Sequence, residues 1–275
     1  MLTSIIHQPI QIRKAESFVY RSPIQEPVQT SFGTMYDRPA VAVRIEDDDG
    51  TVGWGEIWCN FPSVGAEHRA RLFDSVVAPI LLEKSWPSPT VAFQELTKRL
   101  HILGIQCGEP GTIAQAIAGA DIALWDLLGK KLGKPLWELF GGSPVIEAYA
   151  SGINPANPEK IAEEKWAQGF RAFKLKVGFG LDRDFPNLQA LRNVLGPHTK
   201  IMIDANQAWN PETAVNHILH LAPLNPFWLE EPIPADCNVK DWQMLAAQSS
   251  IPLAVGENMR GETQFMKPYR ARRSG

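Results

Sequence analysis

Past residue 142 the chain alternates short apolar runs with stretches in which apolar residues recur every three or four positions, and each change of period marks a change of element. The runs "IEAYASG" (146–152), "AFKLKVG" (172–178), "KIMIDAN" (200–206), "FWLEEP" (227–232) and "PLAVGEN" (252–258) predict strands. Helices fill the intervals. "NPEKIAEEKWAQG" (157–169) and "NPETAVNHILHL" (210–221) each open on an Asn cap with Pro at the first turn, and the former stops at Gly169. Strands followed by crossover helices build parallel sheets, and the even spacing predicts a barrel rather than an open sheet.

The earlier part of the chain has a different rhythm. "AVAVRIE" alternates, "DDDG" (47–50) supplies a turn and "TVGWGEI" returns, a hairpin of a small antiparallel sheet. Helical spacing follows from Glu67 to about Leu82, from Thr90 to Leu103 and from Thr112 to Leu132. The expected fold class is therefore α/β: an N-terminal α+β domain over residues 1–142, then a β/α barrel domain over 143–275.

Candidate chemistry enters with the strand ends. Asp204, Glu230 and Glu257 stand 26 and 27 residues apart, and Lys176 precedes Asp204 by 28. Each interval is one strand–helix unit, so four charged side chains fall at the C-terminal ends of consecutive strands, where barrel enzymes carry their chemistry. Three converging carboxylates repel unless a cation sits among them. Oxygen donors without His or Cys select a hard ion, Mg²⁺ first and Mn²⁺ second. Lys174 and Lys176 share one face of their strand. A lysine beside another cation finds its charged form disfavoured, which lowers its pKa; Lys176 is thus the candidate base and Lys174 its tuning partner or a holder of a substrate carboxylate. Such a site suits removal of a proton next to a carboxylate, with the metal stabilising the enediolate. Glu231, one position on from Glu230, points to the other face and reads as a structural salt bridge or helix-start charge.

"KLK" (174–176), "IDANQAW" (203–209), "WLEEP" (228–232) and "VGEN" (255–258), in this order, resemble the enolase superfamily, mandelate racemase/muconate-lactonizing branch, and "AGADIALWDLLGKKLGKPLWELFGG" (118–142) resembles that family's approach to the barrel. The superfamily is known for a Lys or His base working with Mg²⁺. The resemblance implies that Asp204, Glu230 and Glu257 are metal ligands, Lys176 the base, Lys174 its partner, and Asn206 a polar, substrate-binding position beside the metal. It implies that the N-terminal domain caps the barrel, with segments 29–35 and 58–65 choosing the substrate. That substrate would be a small carboxylate such as a sugar acid or its lactone, and the enzyme a racemase, acid-sugar dehydratase or lactone cycloisomerase. Residues 145–275 hold about five strand–helix units, where a closed barrel has eight. The basic end "MKPYRARRSG" (266–275) reads as a truncated terminus or as an arm touching a partner. Since the family takes a second acid/base from later strands, a truncated chain is expected to hold a metal half-site with impaired turnover.

Composition narrows the classes without choosing among them. A net charge of −3 gives no global field toward nucleic acid or a membrane. Cys59, Cys107 and Cys237 are widely spaced and read as packed thiols of a reducing compartment, so the expected protein is soluble and cytoplasmic, with homo-oligomerisation compatible. His217 and His220 read as a solvated helix face, and Trp125, Trp166 and Trp228 as core filling. "GTVGWGE" (50–56) lacks the following helix of a nucleotide fingerprint. Two other readings stand beside the enzyme: a non-catalytic metal-binding paralogue that pairs with another subunit, and an aldolase using Lys176 as a Schiff-base amine.

Overall fold

The computed structural model describes residues 9–30, 33–261 and 264–265. Ser31 and Phe32 of the expected substrate-choosing segment and the basic end at 266–275 lie outside the described residues. The chain divides into two compact units, one ending at Ile146 and the other starting at Glu147, with segment 28–34 grouped in the second.

β1 (Ile12–Thr30), β2 (Gly33–Asp47) and β3 (Val52–Ile57), which apart from residues 28–34 belong to the first unit, form one sheet in that order. β2 and β3 are antiparallel, Val41 facing Ile57 and Glu46 facing Val52. The alternation seen in "AVAVRIE" places Val41, Val43 and Ile45 in the core. Helical segments follow as α1 (Gly65–Leu72), a π-helical turn (Phe73–Val77), α2 (Ala78–Leu82), α3 (Pro89–Gln106), α4 (Pro110–Leu132) and α5 (Leu136–Leu139). The π turn interrupts the single helix expected over 67–82 just before Pro79, whose nitrogen has no proton to give the preceding turn.

Gly53 and Gly55 serve packing. They share one face of β3, against which α4 lies so closely that a methyl on Gly55 would overlap the Gly119 carbonyl oxygen, and one on Gly53 the Ala123 carbonyl oxygen. Gly55→Ala is expected to cost roughly 3 kcal/mol or more, because the obstacle is backbone and cannot rotate away. Gly50→Ala, in open space at φ +84°, is expected to cost only about 1 kcal/mol from strain. Denaturant midpoints of the two variants check the difference.

α4 also carries a half-buried acid. Burial pushes the Asp121 carboxyl up to about 6, only partly offset by a hydrogen bond with Trp125. With the folded value above the unfolded one, this group favours folding below pH about 4, and that contribution is lost as pH rises through about 6. Asp121→Asn is therefore expected to raise the melting temperature at pH 8 by an amount equivalent to roughly 1–2 kcal/mol, after allowance for partial hydration, and to give no gain near pH 4.

The second unit alternates β4 (Ala150–Ile153), α6 (Pro158–Ala167), β5 (Ala172–Lys176), α7 (Leu181–Leu195), β6 (Lys200–Asp204), α8 (Pro211–Leu221), β7 (Leu229–Glu230), α9 (Val239–Gln248) and β8 (Leu253–Ala254). The five strands are parallel and lie in sequence order, as a run of β/α units requires. One sheet face, with Phe173, Leu175, Ile201, Ile203 and Leu229, packs against Leu188, Leu191, Ile218 and Leu245 of the helices. Asn210 caps α8 by accepting from Thr213 N at 2.8 Å, and Asn238 caps α9 in the same way.

Several expectations are corrected here. The strand expected at 146–152 begins only at Ala150, and Ile146 is 89% exposed; a bulge between Ala150 and Ile153, with Gly152 at φ +74°, shifts the register. Asn157 is left-handed and makes no side-chain cap. Cys107 is exposed at the end of α3, and Trp166 is exposed with Arg171 over its ring. His217 is buried and packs on Trp209, whereas His220 does face solvent. No described helix is long and apolar enough to cross a membrane.

Candidate active site

The sheet face opposite the helices answers why two lysines sit on one strand. Lys176 pairs in register with Asp204, and Asp204 with Glu230, so three charged residues occupy one level at the C-terminal ends of β5, β6 and β7. Lys174, one pleat below, reaches up to Glu230 at 2.9 and 3.0 Å and to Asp204 Oδ2 at 3.3 Å. Lys176 Nζ donates to Asp204 Oδ2 at 2.6 Å and to Asn206 Oδ1 at 2.7 Å. The carboxylates thus repay the burial of the ammonium groups.

Glu257 completes the set by a different route. Its strand, β8, ends at Ala254, so Glu257 lies on the following loop and is exposed. One carboxylate oxygen from each of Asp204, Glu230 and Glu257 nevertheless lies within 4.8 Å of the others. Oxygens around an octahedral Mg²⁺ with bonds of about 2.1 Å stand roughly 3–4 Å apart, so the cluster needs only a small contraction to share an ion. The donor set is all oxygen, which suits a hard cation and not zinc. Two ammonium groups leave one of three negative charges uncompensated; a divalent cation would reverse the balance and make the mouth attractive to a monoanionic carboxylate.

The electrostatics of Lys174 differ from a simple like-charge picture. Burial disfavours its ammonium, but Asp204 and Glu230 outweigh burial and hold its pKa above the ordinary lysine range. Its nearby cation is therefore not what dominates while the carboxylates face it. Glu231 moves the other way: burial pushes its carboxyl up, the Asn258 hydrogen bonds oppose this, and Glu257 and Asp204 add to it. It is 2% exposed and bonded to Asn258, in place of the expected salt bridge or helix-start charge.

The backbone is unusual here. Asn206, Gln207 and Glu231, immediately past the ends of β6 and β7, take φ of +44°, +64° and +42°. Such conformations persist where surrounding bonds hold them and gather at functional sites. Asn206 N donates to Asp204 Oδ1 at 3.0 Å, Gln207 N to the Glu231 carbonyl at 2.7 Å, and Ala235 N to Gln207 Oε1 at 2.8 Å. Asn206 is buried and orients Lys176.

Some contributors escaped sequence reasoning. Trp228, read as core filling, donates its indole N–H to Glu230 Oε2 at 3.3 Å, and Tyr149 packs edge-on against it with Lys174 over the Tyr149 ring at 5.5 Å. Asp184, fully buried, accepts from Gly178 N at 2.8 Å and Phe179 N at 3.3 Å, fixing the loop that leaves Lys176. The position of Asp184 in the first turn of α7 was the available signal.

A parallel β/α sheet with acids and a lysine pair at its C-terminal ends defines a β/α enzyme of the kind that works from that edge. Residues 159–273 match the family described as "Enolase C-terminal domain-like", and residues 14–141 match "Mandelate racemase / muconate lactonizing enzyme, N-terminal domain". The 3,6-anhydro-alpha-L-galactonate cycloisomerase of Streptomyces coelicolor is 34% identical, over 94% of this chain and 72% of that protein. A solved mandelate racemase/muconate lactonizing enzyme from Bordetella bronchiseptica is 47% identical with a TM-score of 0.90, covering 96% of this chain and 70% of that one. A racemase from Streptomyces coelicolor with bound magnesium is 34% identical with a TM-score of 0.88, covering 94% and 73%. The chain belongs to the enolase superfamily, in its mandelate racemase/muconate lactonizing branch.

Proposed function

We propose that this protein binds Mg²⁺ through Asp204, Glu230 and Glu257 and removes the proton α to the carboxylate of a sugar acid or its lactone, with Lys176 as the base. The observation that carries this reading is the single level of the sheet on which Lys176, Asp204 and Glu230 stand side by side, with Glu257 brought to it. The magnesium in the Streptomyces coelicolor structure and the galactonate cycloisomerase among the relatives support the ion and the substrate class.

Bound there, Mg²⁺ would supply positive charge where negative charge develops on the substrate carboxylate. The side chains do the rest. Lys176 Nζ, 2.6 Å from Asp204 Oδ2, would accept the α-proton in its unprotonated form. Asn206 Oδ1 keeps that nitrogen oriented, and Lys174 faces the substrate carboxylate as a counter-charge. The family assignment leaves the Schiff-base aldolase without support.

Racemisation, dehydration and cycloisomerisation share this first step. We assign to Lys176, at the C-terminal end of β5 beside Asp204, this shared proton-removal step. The test is magnesium-dependent replacement of the α-hydrogen by deuterium in a galactonate-type sugar acid, followed by proton NMR in D₂O. Exchange that needs Mg²⁺ supports the reading. Magnesium uptake with no exchange in any sugar acid or lactone favours the non-catalytic paralogue, and no uptake of magnesium or manganese overturns both.

A further inference from the structure

Glu257 is the one carboxylate of the three that no strand positions. It lies on the loop past Ala254, exposed, yet its oxygen arrives beside those of Asp204 and Glu230. The next residue explains how. Asn258 donates its backbone N–H to Glu231 Oε1 at 3.2 Å and its side-chain amide to Oε1 at 3.0 Å and Oε2 at 2.9 Å.

Glu231 is itself tightly held. Its backbone N–H donates to the Ala254 carbonyl at 2.9 Å, the last residue of β8, and its carbonyl accepts from Gln207 N at 2.7 Å, just past β6. Residue 231 therefore joins the chain ends that carry all three carboxylates: it follows Glu230, bonds the turn after Asp204, and grips the residue after Glu257. Burying a carboxyl costs free energy, and no basic side chain pairs with this one among the described residues. Among the described residues amide donors alone satisfy it, which is an expensive way to pin a loop unless the loop's position matters.

We propose that Glu231 is a positioning residue that, by gripping Asn258, holds Glu257 within reach of the ion shared with Asp204 and Glu230. This rests on the metal-site reading above. Glutamine at 231 would turn an amide N–H toward the Asn258 donors and break part of the grip, with little change of volume.

The experiment measures magnesium affinity by isothermal titration calorimetry on the full chain as wild type, Glu231→Gln, Glu257→Gln, the double variant and Asn258→Ala, with melting curves taken without magnesium. Asn258 is exposed, so its variant serves if Glu231→Gln fails to fold. Glu231→Gln and Asn258→Ala are each expected to weaken binding about tenfold, the scale for residues that orient a metal ligand. The double variant is expected to bind no more weakly than Glu257→Gln alone, since Glu231 acts only through Glu257. Full wild-type affinity in Glu231→Gln with only a lowered melting temperature would overturn the proposal by showing a purely structural role. Losses that multiply in the double variant would overturn it by making Glu231 an independent contributor. A wild type that binds no magnesium removes the metal site itself, an outcome distinct from both.

Discussion

Asp204→Asn is expected to abolish the stabilisation that magnesium confers. Asp204 is fully buried at the centre of the cluster, accepting from Lys176 and the backbone of Asn206 and forming an ion pair with Lys174 at 3.3 Å. An amide there removes the charge nearest Lys176 and the second of the two that face Lys174, and replaces the proposed ligand oxygen with a group that binds hard cations poorly. In the wild type, magnesium at a hundred times its dissociation constant should add about 2.7 kcal/mol, visible as a rise in melting temperature. The variant should show no rise. It should also begin less stable by about 3 kcal/mol, because breaking a buried ion pair from one side leaves the other charge uncompensated. Calorimetric scans with and without magnesium separate the two effects, and an equal magnesium-dependent rise in both proteins would remove Asp204 from the site.

Lys176→Met separates proton transfer from metal binding. Without the amine, α-hydrogen exchange should fall by roughly 10²–10⁴-fold, the range for a positioned general base. Magnesium affinity should hold or increase, because an ammonium that competes for Asp204 Oδ2 is gone. Deuterium incorporation by NMR and titration calorimetry on the same sample check the pair. Exchange that survives in the variant would move the base elsewhere.

The level of Lys176, Asp204 and Glu230 was legible in the sequence because strand–helix units have similar lengths and parallel pairing sets residues of equal phase side by side. That argument stops where the strand stops. Glu257 follows the same interval, yet it sits on a loop three residues past Ala254, and only the Glu231–Asn258 contact accounts for its arrival. Period-two reasoning turned Glu231 away from the site, but the backbone leaves the extended region at φ +42° and gives the side chain a partner that alternation does not foresee. Asn157 and Asn210 carry the same Asn-Pro-Glu signature, and only Asn210 caps, since φ +50° at Asn157 takes its side chain out of position. The irregular pairing of β4 with β5 between Ala150 and Ile153 depends on a strand distant in sequence and left little local signal.

The lysine pair also bears on the order in which the molecule matures. Because resident ammonium groups already answer the buried acids, the sheet can close in cation-poor surroundings, unlike small zinc domains that stay unfolded until loaded. Loading of the proposed metal site would then be an exchange of partners, in which tethered amines step aside and can step back. Occupancy of the proposed site could then follow the ambient magnesium level without the fold being put at risk.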